Sequence, residues 1–162
     1  MPTVTIHILA PAVAPADAYD RISDFSRYPE LTTTVQDVVV RPPSPDGSVL
    51  SEWTVHFRNG LLKWTERDTF SPADLALFFE QVTGDFAVFR GSWRLSADGG
   101  GTLVRFDAEF DLGIPTLAAI LEPVAEAALR GNILKILAGL LGEAQEIVVD
   151  AADPQVAGAA QP

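Results

Sequence analysis

The sequence predicts an α+β fold: a curved antiparallel sheet of about seven strands wrapped around a long C-terminal helix, with two short helices after the first strand. Three observations predict it. Apolar and polar residues alternate with period two over most of residues 35–112, and Pro, Gly, Asn and Asp punctuate the runs. The alternation leaves one apolar sheet face, which needs a cover. The only segment long and apolar enough to supply it, residues 117–149, has helical spacing.

The elements follow in order. Thr3 to Leu9 alternates Val4, Ile6 and Ile8 with Thr3, Thr5 and His7, which is the pattern of a half-buried strand. Pro15 suits the first turn of a helix, and Asp17 and Asp20 lie near its positive end. That helix runs to about Phe25. Tyr28-Pro29 breaks it, with a short helical turn before Thr32. Val35 to Val40 is a strand, and the cluster 42–47 turns the chain. Ser48 to Arg58 puts Trp53, Val55 and Phe57 on one face and Thr54, His56 and Arg58 on the other. Asn59-Gly60 is a hairpin signal. The next strand carries Leu62, Trp64, Glu66, Asp68 and Phe70 on one face.

Leu75 to Val82 and Phe86 to Leu95 are further strands, separated by Thr83-Gly84-Asp85. After the glycines at 99–101, Leu103 to Leu112 alternates Val104, Phe106, Ala108 and Phe110 with charged residues. In the C-terminal segment, Leu117, Ile120, Leu121 and Val124 form one stripe. Leu129, Ile133, Ile136, Leu137, Leu140, Ala144 and Ile147 form another on roughly the opposite side. Pro123 divides them: a short helix ends near Glu122, and a second reaches about Val149 with Asn132, Lys135, Gly139 and Glu146 on its wet face. Residues 1–150 read as a single domain and 151–162 as a disordered Pro/Ala/Gly tail.

Composition narrows function by exclusion. The formal net charge is −11 and the Lys and Arg residues are scattered, so nucleic acid is not an expected partner. The chain has no cysteine, hence no disulfide, thiolate metal site or Cys nucleophile. No metal-ligand spacing, phosphate loop or Gly-x-Ser-x-Gly elbow occurs, and neither cofactor nor metal is expected. The N-terminus lacks the pattern of a signal peptide, and the charges at Glu122, Glu126, Arg130 and Lys135 argue against a membrane span. A cytoplasmic protein is expected.

Asp24-Phe25-Ser26-Arg27-Tyr28-Pro29-Glu30-Leu31 resembles the segment after the first helix in polyketide cyclase/dehydrase and Coq10-like proteins. Gly84-Asp85-Phe86, continuing to Trp93, is similar to their Gly-x-Phe strand ending in Trp; Gly101 to Phe106 with Glu109-Phe110 is similar to the strand that follows. The resemblance spans about residues 3–149 and implies the START-like helix-grip fold with a pocket between sheet and helix. It also chooses the register of Leu75 to Val82, which is apolar on both faces. With that register, Trp53, Val55, Phe57, Trp64, Phe78, Phe89, Trp93, Phe106 and Phe110 line a site for a flat apolar ligand.

Glu66, Asp68 and Glu80 then share the apolar side as candidate acid/base groups, because crowded buried carboxylates have raised pKa values. The other reading leaves Asp68 in water at a strand end and Glu66 paired with an arginine. Relative to the family's aromatase/cyclases, Asp68 and Glu80 stand at arginine positions and Val35 at a tyrosine position, while Trp64 and Trp93 match. Glu126 either reaches the pocket mouth or pairs with Arg130. The resemblance implies cyclisation or dehydration of a polyketide intermediate in natural-product, antibiotic-type biosynthesis, with polyketide synthase components as partners. The alternative is a non-catalytic carrier of a lipid, quinone or polyketide. A homodimer is among the assemblies left open.

Overall fold

The computed structural model describes residues 3–58, 60–112 and 118–148, with only the backbone for 118–122. Eight strands form one antiparallel sheet. They are β1 (Thr3–Ala10), β2 (Val35–Val40), β3 (Val49–Phe57), β4 (Gly60–Ser71), β5 (Ala76–Gly84), β6 (Val88–Asp98), β7 (Gly101–Asp111) and β8 (Gln145–Ile147). Their order across the sheet is β2-β3-β4-β5-β6-β7-β1-β8. Helix α1 (Pro15–Ser23), a 3-10 turn over Phe25–Arg27 and helix α2 (Tyr28–Leu31) follow β1; helix α3 (Ala118–Leu141) follows β7. The helix pair and most of the strands fall where the alternation put them.

Register lines up the inner face across the sheet. Leu77 pairs with Trp93, Trp93 with Phe106 and Phe106 with Ile6, so one buried row crosses four strands. Ala125, Leu129, Ile133, Ile136, Leu137 and Leu140 bury the inner face of α3 against this surface. The Tyr19 hydroxyl donates to the Ala76 carbonyl at 2.8 Å and the Thr102 hydroxyl to the Val13 carbonyl at 2.6 Å, which fix α1 and the chain before it to the sheet. The β2 edge is open, with Val39 37% and Val40 41% exposed.

Four expectations change. Pro123 lies inside one continuous helix rather than between two. Pro123 is the sixth residue of α3 and has no N–H to give the carbonyl four residues before it, so the helix runs on with one hydrogen bond fewer. Of the first predicted stripe, Leu117, Ile120 and Leu121 lie outside the residues whose side chains are described. The helix stops at Leu141 instead of about Val149, because Gly142 takes φ +83° and turns the chain out. Ala144 and Ile147 therefore leave the helix, and residues 145–147 become the eighth strand, paired with β1.

Gly139 does not face water. A Cβ there would lie 2.3 Å from the Leu31 carbonyl oxygen, so α3 and α2 meet at backbone distance. The hairpin turn lies one residue earlier than expected: Phe57 pairs with Gly60, which makes Arg58, at φ +57°, a central turn residue. Asn59 and residues 149–162, including the expected tail, lie outside the described residues.

Candidate functional site

A cavity of about 70 Å³ lies between the sheet and α3. The 3-10 turn supplies Phe25 and α2 supplies Tyr28; β3 and β4 supply Trp53, Val55, Phe57, Leu62, Trp64 and Glu66. Phe79, Phe89, Trp93 and Phe106 come from β5–β7, Phe86 from the turn before β6, and Leu129, Asn132, Ile133 and Ile136 from α3. The rings pack edge-to-face and parallel. Trp53 and Trp64 are 6.0 Å apart and within 6° of parallel; Phe86 and Phe89 are 4.4 Å apart. Ligand sites commonly measure ~300–1,000 Å³. An occupant larger than a few heavy atoms must therefore part these rings.

Two corrections concern the expected lining. Phe78 and Glu80 face outward: Phe78 is 37% exposed, with the Arg94 guanidinium 5.1 Å from its ring centre, and the Glu80 side chain lies near Arg90 in solvent. Leu77 and Phe79 take the inner positions. The cause is local. Leu75 adopts a left-handed conformation, φ +50°, that ends the Pro72–Asp74 turn and sets the phase of β5. Phe110 is buried but lies outside the cavity wall, opposite Phe89. Trp53, Val55, Phe57, Trp64, Glu66, Phe89, Trp93 and Phe106 are where the alternation placed them.

Glu66 and Asp68 form the polar centre of this apolar region. Both are buried, at 5% and 0% exposure. The Trp64 indole N–H donates to Glu66 Oε1 at 2.7 Å. On the other side, the Trp53 indole donates to Ser51 Oγ at 2.8 Å, and the Ser51 hydroxyl donates to Asp68 Oδ2 at 2.5 Å. Asp68 Oδ1 meets no side-chain or backbone donor among the described residues. Glu66 and Asp68 are hydrogen-bonded to each other, and two carboxyls can share a hydrogen bond only when the pair holds a proton.

Burial pushes the Glu66 carboxyl well above the usual range; its hydrogen bond to Asp68 and the Asp68 charge add to this, and Trp64 opposes it. Burial also raises Asp68, while the bonds from Glu66 and Ser51 hold it down. The two carboxyls therefore titrate as a pair, and both are shifted toward the protonated form. Neither alternative placement holds: Asp68 is sealed from water, and no arginine pairs with Glu66 among the described residues.

Residues outside the expected set complete the wall. Tyr28 is fully enclosed, and burial followed by the Glu66 and Asp68 charges pushes its phenol well above its ordinary pKa; its hydroxyl donates to the Ile22 carbonyl. Asn132, expected in water, lines the cavity and donates from Nδ2 to the His56 carbonyl at 2.7 Å, joining α3 to β3. Glu126 pairs with Arg130 at 3.2 Å, and Arg130 also holds Glu146 at 2.7 Å. No group of His, Asp and Glu among the described residues could hold a metal, and no described helix is long and apolar enough to cross a membrane.

A curved antiparallel sheet closed over an aromatic cavity by one long helix defines a START-like helix-grip protein. The chain belongs to the family described as polyketide cyclase/dehydrase and lipid transport, whose model matches residues 11–136. Solved structures agree on the fold. A protein of Thermus thermophilus is 22% identical, covering 86% of this chain and 94% of its own, with a TM-score of 0.77. The Zhui aromatase/cyclase of Streptomyces sp. R1128 is 17% identical over 87% of this chain and 89% of its own, at 0.68. A START superfamily protein of Mycobacterium smegmatis is 19% identical over 86% and 95%, at 0.71. No curated protein matches significantly.

Proposed function

We propose that the chain binds an apolar small molecule between its sheet and α3 and promotes an intramolecular ring closure or dehydration by proton transfer through Glu66 and Asp68. The observation that carries this reading is the pair of buried carboxyls, Glu66 and Asp68, set in and behind a wall of aromatic rings. A carboxyl whose pKa is raised by burial can give a proton to a ligand carbonyl and, once ionised, take one from an adjacent carbon. The rings hold a flexible chain in a folded shape and so reduce the entropic part of the barrier. A polyketide-type substrate is supported by the family and by the aromatase/cyclase among the similar structures. Glu80 has no part in this mechanism, since it faces solvent.

A second reading is a carrier that binds without turnover, supported by the lipid-transport half of the family description. One experiment separates them. Purified wild type and the Glu66→Gln/Asp68→Asn double variant are incubated with a poly-β-keto thioester, and binding and product are followed together by fluorescence and mass spectrometry. Product from the wild type, and binding without product in the variant, supports the enzyme. Equal product from both removes the carboxyl mechanism. Binding without product in either favours the carrier.

A further inference from the structure

The electrostatics of the cavity are one-sided. No Lys, Arg or His is among its described lining residues, and ten of those described residues are aromatic. Glu66 is in the wall, and Asp68 lies behind it with 0% exposure and one oxygen, Oδ1, that meets no donor side chain or backbone N–H among the described residues. Even with a proton shared between them, the two carboxyls keep one negative charge. No cationic side chain among the described residues of the wall neutralises it: the groups bonded to the pair are the Trp64 indole and the Ser51 hydroxyl. A buried charge that lacks an opposite charge is costly.

The surrounding rings do not relieve that cost, because the faces of Trp, Tyr and Phe are themselves electron-rich and favour positive charge. Both features therefore select the same kind of ligand. We propose that this cavity takes ligands whose buried end is cationic, a quaternary or protonated amine carried on an apolar body. An anionic end meets the pair and the ring faces with repulsion. The open space of about 70 Å³ suits a compact head group, and the half-buried Phe57, Leu62 and Asn132 give the apolar body a path toward solvent. The proposal rests on the reading of the cavity as the ligand site and adds the charge of its occupant.

All three tryptophans of the chain line the cavity, so intrinsic fluorescence reports on it directly. The purified protein is titrated with benzyltrimethylammonium, with neopentylbenzene as its uncharged isostere, and with benzylsulfonate. The expected result is binding of the cation about ten-fold tighter than the isostere, with no saturation by the sulfonate. Glu66→Gln combined with Asp68→Asn removes the charge, and the ratio of cation to isostere affinity falls to within about two-fold. Equal or tighter binding of the isostere to the wild type, or an unchanged preference in the double variant, overturns the cation proposal alone. If none of the three probes alters the fluorescence, the ligand-site reading falls with it.

Discussion

Neutralising the carboxyl pair should change how stability depends on pH. In the unfolded chain Glu and Asp titrate at about 4.3 and 3.9. In the folded protein both pKa values are raised, so above about pH 4 the folded pair holds a proton that the unfolded chain has released. Stability from this source is complete below the unfolded values and is lost as pH rises through the folded ones. With one proton of difference the loss is about 1.4 kcal/mol per pH unit. For a chain of this size that amounts to about 3–6 °C in Tm per pH unit. The Glu66→Gln/Asp68→Asn variant has no pair to titrate, so its stability relative to wild type should climb by that amount across the same window. Urea or thermal unfolding of both proteins at half-unit steps from pH 4 to pH 9 measures it. Every other titrating group is common to the two, and the slope of the difference isolates the pair. A difference that stays constant with pH would refute the shared-proton assignment, whatever its sign.

The β5 register can be tested by a matched pair: Phe79→Ala should cost about 3–5 kcal/mol, as for a core ring, and Phe78→Ala under about 1 kcal/mol, read by urea midpoints. Similar costs would contradict the placement of β5. Gly139→Ala drives a methyl to within 2.3 Å of the Leu31 carbonyl, and a loss of about 1–3 kcal/mol is expected by the same measurement. Tyr28→Phe removes a buried hydroxyl already committed to the Ile22 carbonyl; it should lose about 1 kcal/mol of stability but leave ligand affinity within about two-fold, and a large affinity loss would give that hydroxyl a role at the ligand.

How much of this was legible depended on whether local pattern or tertiary contact decided the outcome. In β3, β4 and β7, polar residues mark the outer face unambiguously, and Trp53, Glu66, Asp68 and Phe106 could be placed by counting. Leu77, Phe78 and Phe79 offer apolar side chains to both faces, so β5 carries no such mark, and a left-handed Leu75 set its phase. Likewise Phe25, Tyr28 and Phe86 reach the cavity from a helix pair and a turn, where period-two reasoning says nothing. Gly142 was a readable stop signal that the apolar stripe running on to Ile147 obscured. The close approach at Gly139 has a sequence cue only in retrospect, since a glycine in a helix marks both poor propensity and tight packing.

The open β2 edge has a consequence for handling the protein. Its exposed backbone and valines can template pairing with another copy, and the Pro42-Pro43 pair after it blocks only the end of the strand. At neutral pH a net charge of −11 keeps molecules apart. Near the isoelectric point, about pH 4.4, that colloidal barrier vanishes. This is also the acidic range in which the carboxyl pair contributes most to the fold. The conditions that favour the pair are thus those in which a concentrated stock is most prone to precipitate, and a storage buffer has to be chosen on solubility as well as on melting temperature.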